Sequence, residues 1–386
     1  MTEATAAFLV SEKGAALLER GAIWLSKERG LDPEQRAGAL AVLEGRKRAH
    51  KRGWHHAECL FLTADALAQA SSEGVAAFHA RIFADCETVL DACCGVGRDT
   101  LALAAAGKRV VAVEADPARL IFARANADVY GVGGRVTFQC ADVTALTGHW
   151  DGAFFDPARR AGGERFSRDA ERYQPPLSFL TELGARSRVI VAKLSPALPD
   201  PTLESLGGEC TFLSEERTCK EACVVLGSES GPPRALLLPG LEAFVSGEEP
   251  PVAGGLGAYL LDPDPAILRA GALGALAMQT GAALISPDDS YLTAEQATAC
   301  VGVRTYRVRT ALPYRERTLG RWLREQGIGR LVVKKRRYPK EPEAVRKELG
   351  LKGHGEEATL VIVAQGRGWL GVVCDPVQTG STDATD

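Results

Sequence analysis

Hydrophobic and polar residues follow two different patterns along this chain. Residues 1–84 carry apolar residues at helical spacing among charged ones, which predicts an N-terminal helical region. One helix start is explicit, because Asp32 offers an N-cap, a proline follows it, and Gln35 can reach back to the cap. We expect that helix to turn Leu40 and Leu43 inward.

Residues 85–230 change to short β-rich runs separated by helical stretches. The predicted strands are 88–92, 109–113, 135–139, 152–155, 188–194, 211–213 and 222–226. Alternation of strand and helix predicts right-handed crossovers and a parallel sheet covered on both faces. The last two runs indicate an antiparallel pair. The predicted fold class is therefore α/β.

The chain beyond residue 230 is predicted to form smaller domains. Linker-like sequences occupy 231–233 and 247–251. Residues 252–306 predict a small α/β domain of the ferredoxin-like kind, and residues 307–378 a second α+β domain. The long uncharged stretch at 270–287 contains glycines and polar residues, so it indicates a buried helix and turn and no membrane span.

Composition narrows the class of protein. The 386 residues carry a net charge of −3, with 46% hydrophobic and 25% charged residues, which excludes a disordered or collagen-like chain. A local basic face can still bind nucleic acid within a neutral whole. Ten cysteines at irregular spacing, with Cys93 and Cys94 adjacent, indicate reduced thiols. With reduced thiols we expect a cytoplasmic protein; the first residues show no basic segment followed by a clean apolar run.

A glycine-containing turn follows the first predicted strand. Its sequence is Asp91-Ala92-Cys93-Cys94-Gly95-Val96-Gly97. Glycines let the backbone approach a ligand, and the helix that follows offers free N–H groups. The dinucleotide fingerprint needs a third glycine where this chain has Thr100. Asp91 would repel a pyrophosphate but suits a cationic cofactor, so the turn favours S-adenosylmethionine, which carries a sulfonium and an ammonium group.

Two further acids follow the next two predicted strands. Glu114 ends the second strand, where a carboxylate can accept both ribose hydroxyls, and Asp142 follows the third, where it can accept from an adenine amino group. A single acid of this kind is often only a solvated strand-end cap, but three at successive strand ends favour a cofactor site. The predicted cofactor-binding residues are Asp91, Cys93, Gly95, Gly97, Glu114, Asp142 and, on the fourth strand, Asp156.

On these motifs, residues 85–228 resemble a class I S-adenosylmethionine-dependent methyltransferase, with a cysteine at position 93 where a small residue or glycine is usual. The chain more specifically resembles a bacterial family of such enzymes with a C-terminal THUMP-like domain. The matching stretches run from Phe61-Leu62-Thr63 to Gln69-Ala70-Ser71, and include Asp156-Pro157-Ala158-Arg159-Arg160, Lys193-Leu194-Ser195-Pro196 and Asp262-Pro263-Asp264-Pro265. The resemblance implies a Rossmann-like sheet, a THUMP-like domain at 307–378 and an RNA substrate, because THUMP-type domains are associated with RNA.

The same resemblance places the methyl acceptor beyond the fourth strand, at Asp156. Enzymes that methylate exocyclic base amines are similar up to Asp-Pro and then continue with proline and an aromatic residue. This chain has Ala158 and Arg159 there, so the usual stacking ring is missing. An arginine can itself stack on a base or pair with a phosphate, so base-amine methylation stays open.

A second interpretation combines Asp156 with Lys193 and Glu221. Their order is similar to the catalytic group of FtsJ-like ribose 2′-O-methyltransferases, in which Lys51 would be a candidate for the fourth member. A lysine whose pKa is lowered by burial could deprotonate a ribose hydroxyl. Alternatively, Lys193 is a structural ion pair with Asp156 or Glu221. The choice between base and ribose stays open.

Two basic segments are candidates for RNA contact. The first contains Arg48, Lys51, Arg52 and Trp54, a composition typical of a phosphate-tracking groove with a stacking ring, although a solvated helix end is equally compatible. A metal site built from the neighbouring residues His50, His55, His56 and Cys59 is a third option, but we predict no metal. The second segment contains Lys334, Lys335, Arg336 and Arg337. It is strongly positive within a slightly negative chain, which favours RNA contact over a merely solvated face.

The sequence therefore predicts a cytoplasmic S-adenosylmethionine-dependent methyltransferase that acts on RNA, either tRNA or rRNA. Two other classes stay open: a methyltransferase for a small molecule or protein, and a non-catalytic RNA-binding protein with a relict cofactor pocket.

Overall fold

The structure, a computed structural model, describes residues 1–25, 27–161, 164–165, 168–351 and 353–377. The chain divides into two compact units. The first unit contains residues 1–210 and 221–231, and the second contains residues 211–220 and the chain from Pro232 onward. The step from Gly231 to Pro232 falls in one of the segments that we expected to be linker-like.

The first unit begins with the predicted helical region. Its helices are α1 (Glu3–Val10), α2 (Glu12–Arg20), α3 (Ala22–Leu25), α4 (Pro33–Lys51), α5 (Ala64–Gln69) and α6 (Glu73–Ile82). The cap of α4 is confirmed: the Gln35 N–H donates to the Asp32 carboxylate at 2.8 Å, and the Gln35 side chain accepts from the Asp32 N–H.

The expected orientation of α4 is only partly right. Leu43 is half-buried against the core, but Leu40 is 46% exposed, so its prediction was wrong. The buried face instead contains Gly38 and Gly45, where an added Cβ would lie 2.6 Å from the Thr5 side chain and 2.0 Å from a backbone oxygen, respectively. Close approach through glycines, and not leucine burial, sets how this helix packs.

The α/β part of the first unit follows. Its elements are β1 (Thr88–Asp91), α7 (Arg98–Ala105), β2 (Arg109–Glu114), α8 (Pro117–Val129), β3 (Val136–Cys140), β4 (Trp150–Phe155), β5 (Arg160–Ala161), β6 (Glu164–Arg165), α9 (Leu180–Gly184), β7 (Ser187–Leu194), α10 (Asp200–Glu204), β8 (Glu209–Glu215) and β9 (Thr218–Leu226). β8 and β9 are divided between the two units.

Strand order in the first unit is β3-β2-β1-β4-β7-β9. The first five strands are parallel, and β9 runs antiparallel to β7. The predicted parallel sheet is therefore confirmed. Because the carboxyl ends of parallel strands meet at one edge, the residues that follow β1, β2, β3 and β4 share a single crevice.

The second unit has an α+β architecture, as predicted. Its remaining elements are β10 (Arg234–Leu238), β11 (Glu242–Val245), β12 (Tyr259–Pro263), α11 (Pro265–Arg269), α12 (Leu273–Thr280), β13 (Ala283–Leu284), β14 (Leu292–Ala294), β15 (Val303–Pro313), α13 (Glu316–Glu325), β16 (Ile328–Lys335), α14 (Pro342–Glu348), β17 (Glu356–Gln365) and β18 (Gly368–Pro376). A seven-stranded sheet has the order β13-β14-β12-β15-β18-β17-β16. The boundary expected between residues 306 and 307 falls within β15, so strands from both expected small domains share one sheet.

None of the ten cysteines, all of which lie among the described residues, forms a disulfide in the structure. Within the described part of the chain, no helix combines the length and the apolar character that crossing a bilayer would require.

Candidate active site

The glycine turn is shaped by two left-handed residues. Gly95 has φ of +57° and Gly97, the N-cap of α7, has φ of +92°. A Cβ on Gly97 would lie 3.2 Å from the Ala123 side chain of α8, whereas a Cβ on Gly95 would meet nothing within 4 Å. Gly97 therefore permits close packing of the two helices, and Gly95 faces open space that a ligand can use.

A cavity of about 950 Å³ lies at the carboxyl edge of the sheet. It is lined by these predicted residues: Asp91, Cys93, Gly95, Glu114, Asp142, Asp156 and Arg159. The structure thus brings together the three strand-end acids and the acceptor-side aspartate. Gly97 is not among the described lining residues. It supports the turn indirectly, because the lack of a side chain there lets α8 pack closely against it.

Asp91 is fully buried at the base of this cavity. Its Oδ2 accepts a hydrogen bond of 2.5 Å from the Thr100 hydroxyl, while Oδ1 is buried and has no hydrogen-bond partner. Burial raises the pKa of Asp91 to about 8. A buried carboxyl oxygen without a donor is costly, and a cation in the cavity would relieve it. This orphaned oxygen fits the ammonium group of S-adenosylmethionine.

Glu114 and Asp142 are held by backbone groups. The N–H of Gly95 donates to Glu114 Oε2 at 3.0 Å, and the N–H of Asp116 donates to Oε1 at 2.9 Å. Thr144 donates to Asp142 Oδ1 through its N–H at 2.9 Å and its hydroxyl at 2.8 Å, and these bonds lower the pKa of Asp142. Two fixed carboxylates at the ends of β2 and β3 fit a ribose diol and an adenine amino group.

Cys93, where the motif departs from the usual small residue, lines the cavity as a neutral side chain. Burial raises the pKa of the Cys93 thiol well above its ordinary value, and the negative charges of Asp156 and Asp91 raise it further. The pKa of the Cys94 thiol is also raised well above its ordinary value, mainly by burial. Both thiols therefore stay protonated and are poor nucleophiles at neutral pH.

The acceptor side is organised around Asp156, directly after β4. Lys193 Nζ donates to Asp156 Oδ2 at 2.6 Å and lies 3.4 Å from the carbonyl oxygen of Gln69. Burial would lower the pKa of Lys193, but the charges of Asp156, Asp99 and Glu221 outweigh burial and raise it. The expected lysine with a lowered pKa is thus wrong, because three nearby carboxylates keep it an ammonium.

Glu221 belongs to the same buried cluster as Lys193, since its charge raises the pKa of the lysine. It is 1% exposed and also contacts a histidine that the sequence did not single out: Glu221 Oε1 lies 2.7 Å from Nε2 of His79. Nδ1 of His79 lies 2.8 Å from Asp99 Oδ1. The only sequence signal for this cluster is one histidine on the alanine-rich face of α6. Lys51, the candidate fourth member, is exposed at the end of α4 and is absent from the described lining of the cavity.

A short segment after residue 173 completes the acceptor side. Ala158 and Gln174 exchange two backbone hydrogen bonds, of 2.9 and 3.1 Å. This pairing brings Gln174 and the two prolines that follow it to the cavity lining, beside Arg159. The sequence offered no periodic signal for the contact, because neither partner belongs to a long strand.

In the first basic segment, the tryptophan is buried. Trp54 is 7% exposed, and the guanidinium of Arg98 lies 4.9 Å from its ring centroid, so its predicted role as an open stacking ring is wrong. Arg48 pairs with Glu44 at 2.7 Å, and Arg52 donates to a backbone oxygen at 3.1 Å.

The four residues of the optional metal site in that segment are not grouped by their ligand atoms within the described part of the chain; His55 Nδ1 lies 2.5 Å from a carboxylate oxygen of Glu73. Within the described part of the chain, the potential metal ligands that do lie close together are His79 on α6 and Glu221 and Cys223 on β9.

The second basic segment is largely ion-paired. Lys334 and Arg336 contact the Asp262 carboxylate at 2.8 and 2.7 Å, and Lys335 contacts Glu341 at 2.8 Å. Arg337 is exposed. These residues, except Arg337, line a cavity of about 520 Å³ within the second unit.

The order of the strands and the chemistry of the crevice now distinguish between nucleotide cofactors. A dinucleotide would set its pyrophosphate against the buried carboxyl of Asp91, whereas a sulfonium donor sets an ammonium there. The first unit is accordingly that of a class I S-adenosylmethionine-dependent methyltransferase.

Comparison with known proteins agrees with this class. Residues 303–376 match a family described as THUMP domain-like, and residues 86–179 match one described as RNA cap guanine-N2 methyltransferase. An uncharacterized S-adenosylmethionine-dependent methyltransferase of Mycobacterium tuberculosis H37Rv is 30% identical over 325 residues, covering 81% of this chain and 88% of the relative. The chain belongs to this family of S-adenosylmethionine-dependent methyltransferases, with a THUMP-like domain at its C-terminus.

Two other similarities are narrower. A crystal structure of a Porphyromonas gingivalis W83 protein described as a methyltransferase has a TM-score of 0.73 at 20% identity, and covers 95% of this chain and 99% of that one; it supports the fold. An uncharacterized RNA methyltransferase of Parasynechococcus marenigrum is 36% identical over 118 residues, which is 29% of this chain and 25% of the relative.

Proposed function

We propose that this methyltransferase acts on RNA and methylates an exocyclic amine of a base. The observation that carries the proposal is the Asp156 carboxylate, which lines the same cavity as the three strand-end acids. When bound, S-adenosylmethionine supplies an electrophilic methyl group. The chain's own task is to place the nucleophile beside it and to accept hydrogen bonds from the nucleophile.

Asp156 is suited to an amine. Lys193 occupies its Oδ2 at 2.6 Å, and Oδ1 is the oxygen that we assign to the acceptor N–H. Burial raises the pKa of Asp156, against the lowering effect of Lys193 and Arg159. A desolvated carboxylate of this kind accepts strongly and can take up the proton that the amine loses on methylation.

A ribose hydroxyl fits the site less well. It must lose its proton to become a useful nucleophile, and Lys193, the base considered for that step, is held as an ammonium by three carboxylates. Base methylation does not require a neutral lysine. The similarity of residues 86–179 to the guanine-N2 methyltransferase family supports the same choice.

RNA as the substrate is supported from two sides. One partial relative is described as an RNA methyltransferase. On the acceptor side, Arg159 and Gln174 line the cavity, where a guanidinium and an amide can meet a base or a phosphate.

The cysteines, none of which forms a disulfide in the structure, fit a reducing cytoplasm, where we expect the enzyme to act.

The test is methylation of total cellular RNA with a deuterated methyl donor, followed by digestion to nucleosides and mass spectrometry. We expect the label in a nucleoside methylated on an exocyclic nitrogen. Asp156→Asn should lose most of this label, whereas Asp85→Asn, a change at an exposed aspartate, should keep it. Label on ribose would overturn the base assignment, and label confined to protein or small molecules would overturn the RNA assignment.

A further inference from the structure

A buried histidine bridges two carboxylates behind the acceptor site. His79, on α6, is 0% exposed. Its Nδ1 lies 2.8 Å from Asp99 Oδ1, and its Nε2 lies 2.7 Å from Glu221 Oε1. The side chains of both acids are at most 7% exposed. Ser71 also donates to the second oxygen of Asp99 at 2.8 Å.

The geometry suits a doubly protonated ring. A neutral imidazole has one N–H, and an ionised carboxylate can only accept. Where both acids are ionised, the two short contacts are satisfied only if both ring nitrogens donate. Burial alone would lower the pKa of His79, but Glu221 and Asp99 outweigh burial and raise it well above its ordinary value.

The charge on His79 matters to the neighbouring lysine. Lys193 interacts electrostatically with Asp156, Asp99 and Glu221. If His79 were neutral, one ammonium would face three buried carboxylates, and Asp99 and Glu221 would compete with Asp156 for it. With the imidazolium present, two of the three acids already have a cation, which leaves Lys193 to Asp156.

We propose that His79 is a positioning residue: as an imidazolium it satisfies Asp99 and Glu221, so that Lys193 stays on Asp156 and fixes the acceptor carboxylate. This inference rests on the proposed role of Asp156. It also gives the N-terminal helical region a part in the reaction, because α6 supplies His79 and the segment before it supplies Ser71 and the Gln69 carbonyl.

A metal ion bound in the same cluster would require the opposite protonation state, with no proton on Nε2 of His79. His79 Nε2, a Glu221 oxygen and Cys223 Sγ lie within 4.8 Å of one another, a nitrogen, oxygen and sulfur set that zinc accepts. A bound metal would take the place of the proton on Nε2. The protonation state of His79 therefore distinguishes a charge bridge from a metal site.

The first test is spectroscopic and needs no substrate. ¹⁵N-histidine-labelled wild-type protein is titrated from pH 6 to 9, with and without a chelator, and His79 is assigned as the signal missing in His79→Gln. We expect both ring nitrogens to keep the shifts of an imidazolium past pH 8, unchanged by the chelator. Neutral shifts at pH 7, or shifts that change on metal removal, would overturn the proposal.

The second test uses kinetics on whichever substrate the wild type methylates. His79→Gln should lower kcat about tenfold, the order of one coupling between neighbouring buried charges, with cofactor affinity within about twofold. Adding Glu221→Gln removes the excess negative charge and should recover part of kcat. His55→Gln, an exposed histidine also paired with a glutamate, is the matched control.

A double variant no better than the single one, or a loss of cofactor affinity equal to the loss of kcat, would contradict the positioning role. If His79→Gln does not fold, single substitutions of the other five histidines, all exposed, assign the His79 signal by elimination, and the wild-type titration still decides the ring's charge. If the wild type fails to methylate RNA, the proposed function falls while the spectroscopic test stands.

Discussion

Asp91 is the residue whose chemistry best defines this enzyme. Its position after the first strand and before two glycines is enough to predict, from sequence, that a cationic cofactor binds there. Glu114 and Asp142 were predictable for the same reason, since they follow the next two strands of a parallel sheet. His79 was not predictable, because its two partners lie 20 and 142 residues away along the chain.

Proton release should reveal the coupling between Asp91 and the cofactor. With a pKa of about 8, Asp91 is mostly protonated in the free enzyme at pH 7, and an ammonium beside it requires the ionised form. Binding should therefore release close to one proton per cofactor at pH 7. Release should fall as the pH rises past 8, because Asp91 is then already ionised. It should turn into proton uptake at higher pH, because the free cofactor's own α-amino group, with an ordinary pKa of about 8, must regain a proton to bind as an ammonium.

Calorimetric titration in buffers of different ionisation enthalpy measures this release. Asp91→Asn should abolish it and weaken cofactor binding roughly ten- to a hundredfold, the loss of one hydrogen bond between charged groups. Asp85→Asn serves as the control. Equal proton release by wild type and Asp91→Asn would show that another group binds the ammonium.

Lys193 is expected to act on the acceptor carboxylate and not as a base. Lys193→Met removes the cation that opposes burial at Asp156, so the pKa of Asp156 should rise further and turnover at pH 7 should fall at least about tenfold. The residual rate should increase with pH as Asp156 ionises, whereas the wild-type rate should be flat near neutrality.

Cofactor affinity should stay within about twofold of the wild type, because Lys193 is not among the described residues that line the cavity with the strand-end acids. Lys47→Met, a change at an exposed lysine, controls for loss of charge. A wild-type rate that climbs tenfold per pH unit through neutrality would instead indicate a deprotonating lysine.

At the scale of elements, the strands were easier to predict than the helix faces. The buried runs around Val89 and Phe154 have no competing pattern, and their register follows from the sheet. The face of α4 was mispredicted at Leu40 because glycines, which carry no hydrophobic signal, set its closest contacts. The backbone pairing of Ala158 with Gln174 lies outside any periodic pattern and could not be anticipated.

Gly97 offers a test of how the turn and the helices support each other. Gly97→Ala adds a Cβ 3.2 Å from Ala123 at a φ of +92°, so it should destabilise the protein by roughly 1–3 kcal/mol and weaken cofactor binding. Gly107→Ala has a φ of +87° but open space around the new Cβ, and it isolates the cost of the backbone conformation. Denaturant unfolding of both variants measures the difference, and equal losses would contradict the close-packing role of Gly97.

At the scale of the whole molecule, the net charge of −3 conceals how the basic residues are used. The sequence shows the basic segment Lys334–Arg337, but it could not show that Asp262 and Glu341 neutralise most of its charge. Asp262 is remote along the chain, and nothing in the sequence marks Glu341 as the partner of Lys335. The exposed Arg337 is the cation that we expect to contact RNA most directly.

Arg337→Ala should therefore weaken RNA binding and reduce the slope of log affinity against log salt by about one, the value for one lost phosphate contact. Lys334→Ala should change the slope less, because that lysine is committed to Asp262. Arg346→Ala, at a half-buried arginine paired with Glu343 at 2.6 Å, is the control. Equal slopes for the wild type and Arg337→Ala would remove this residue from the RNA surface.

The crevice at the carboxyl ends of β1 to β4 is expected to hold a sulfonium donor and no dinucleotide. Calorimetric titration of the purified full chain with S-adenosylmethionine, S-adenosylhomocysteine and NAD tests it most directly. We expect one binding site per chain for the first two compounds and none for NAD. Binding of NAD, or no binding of either adenosyl compound, would contradict it.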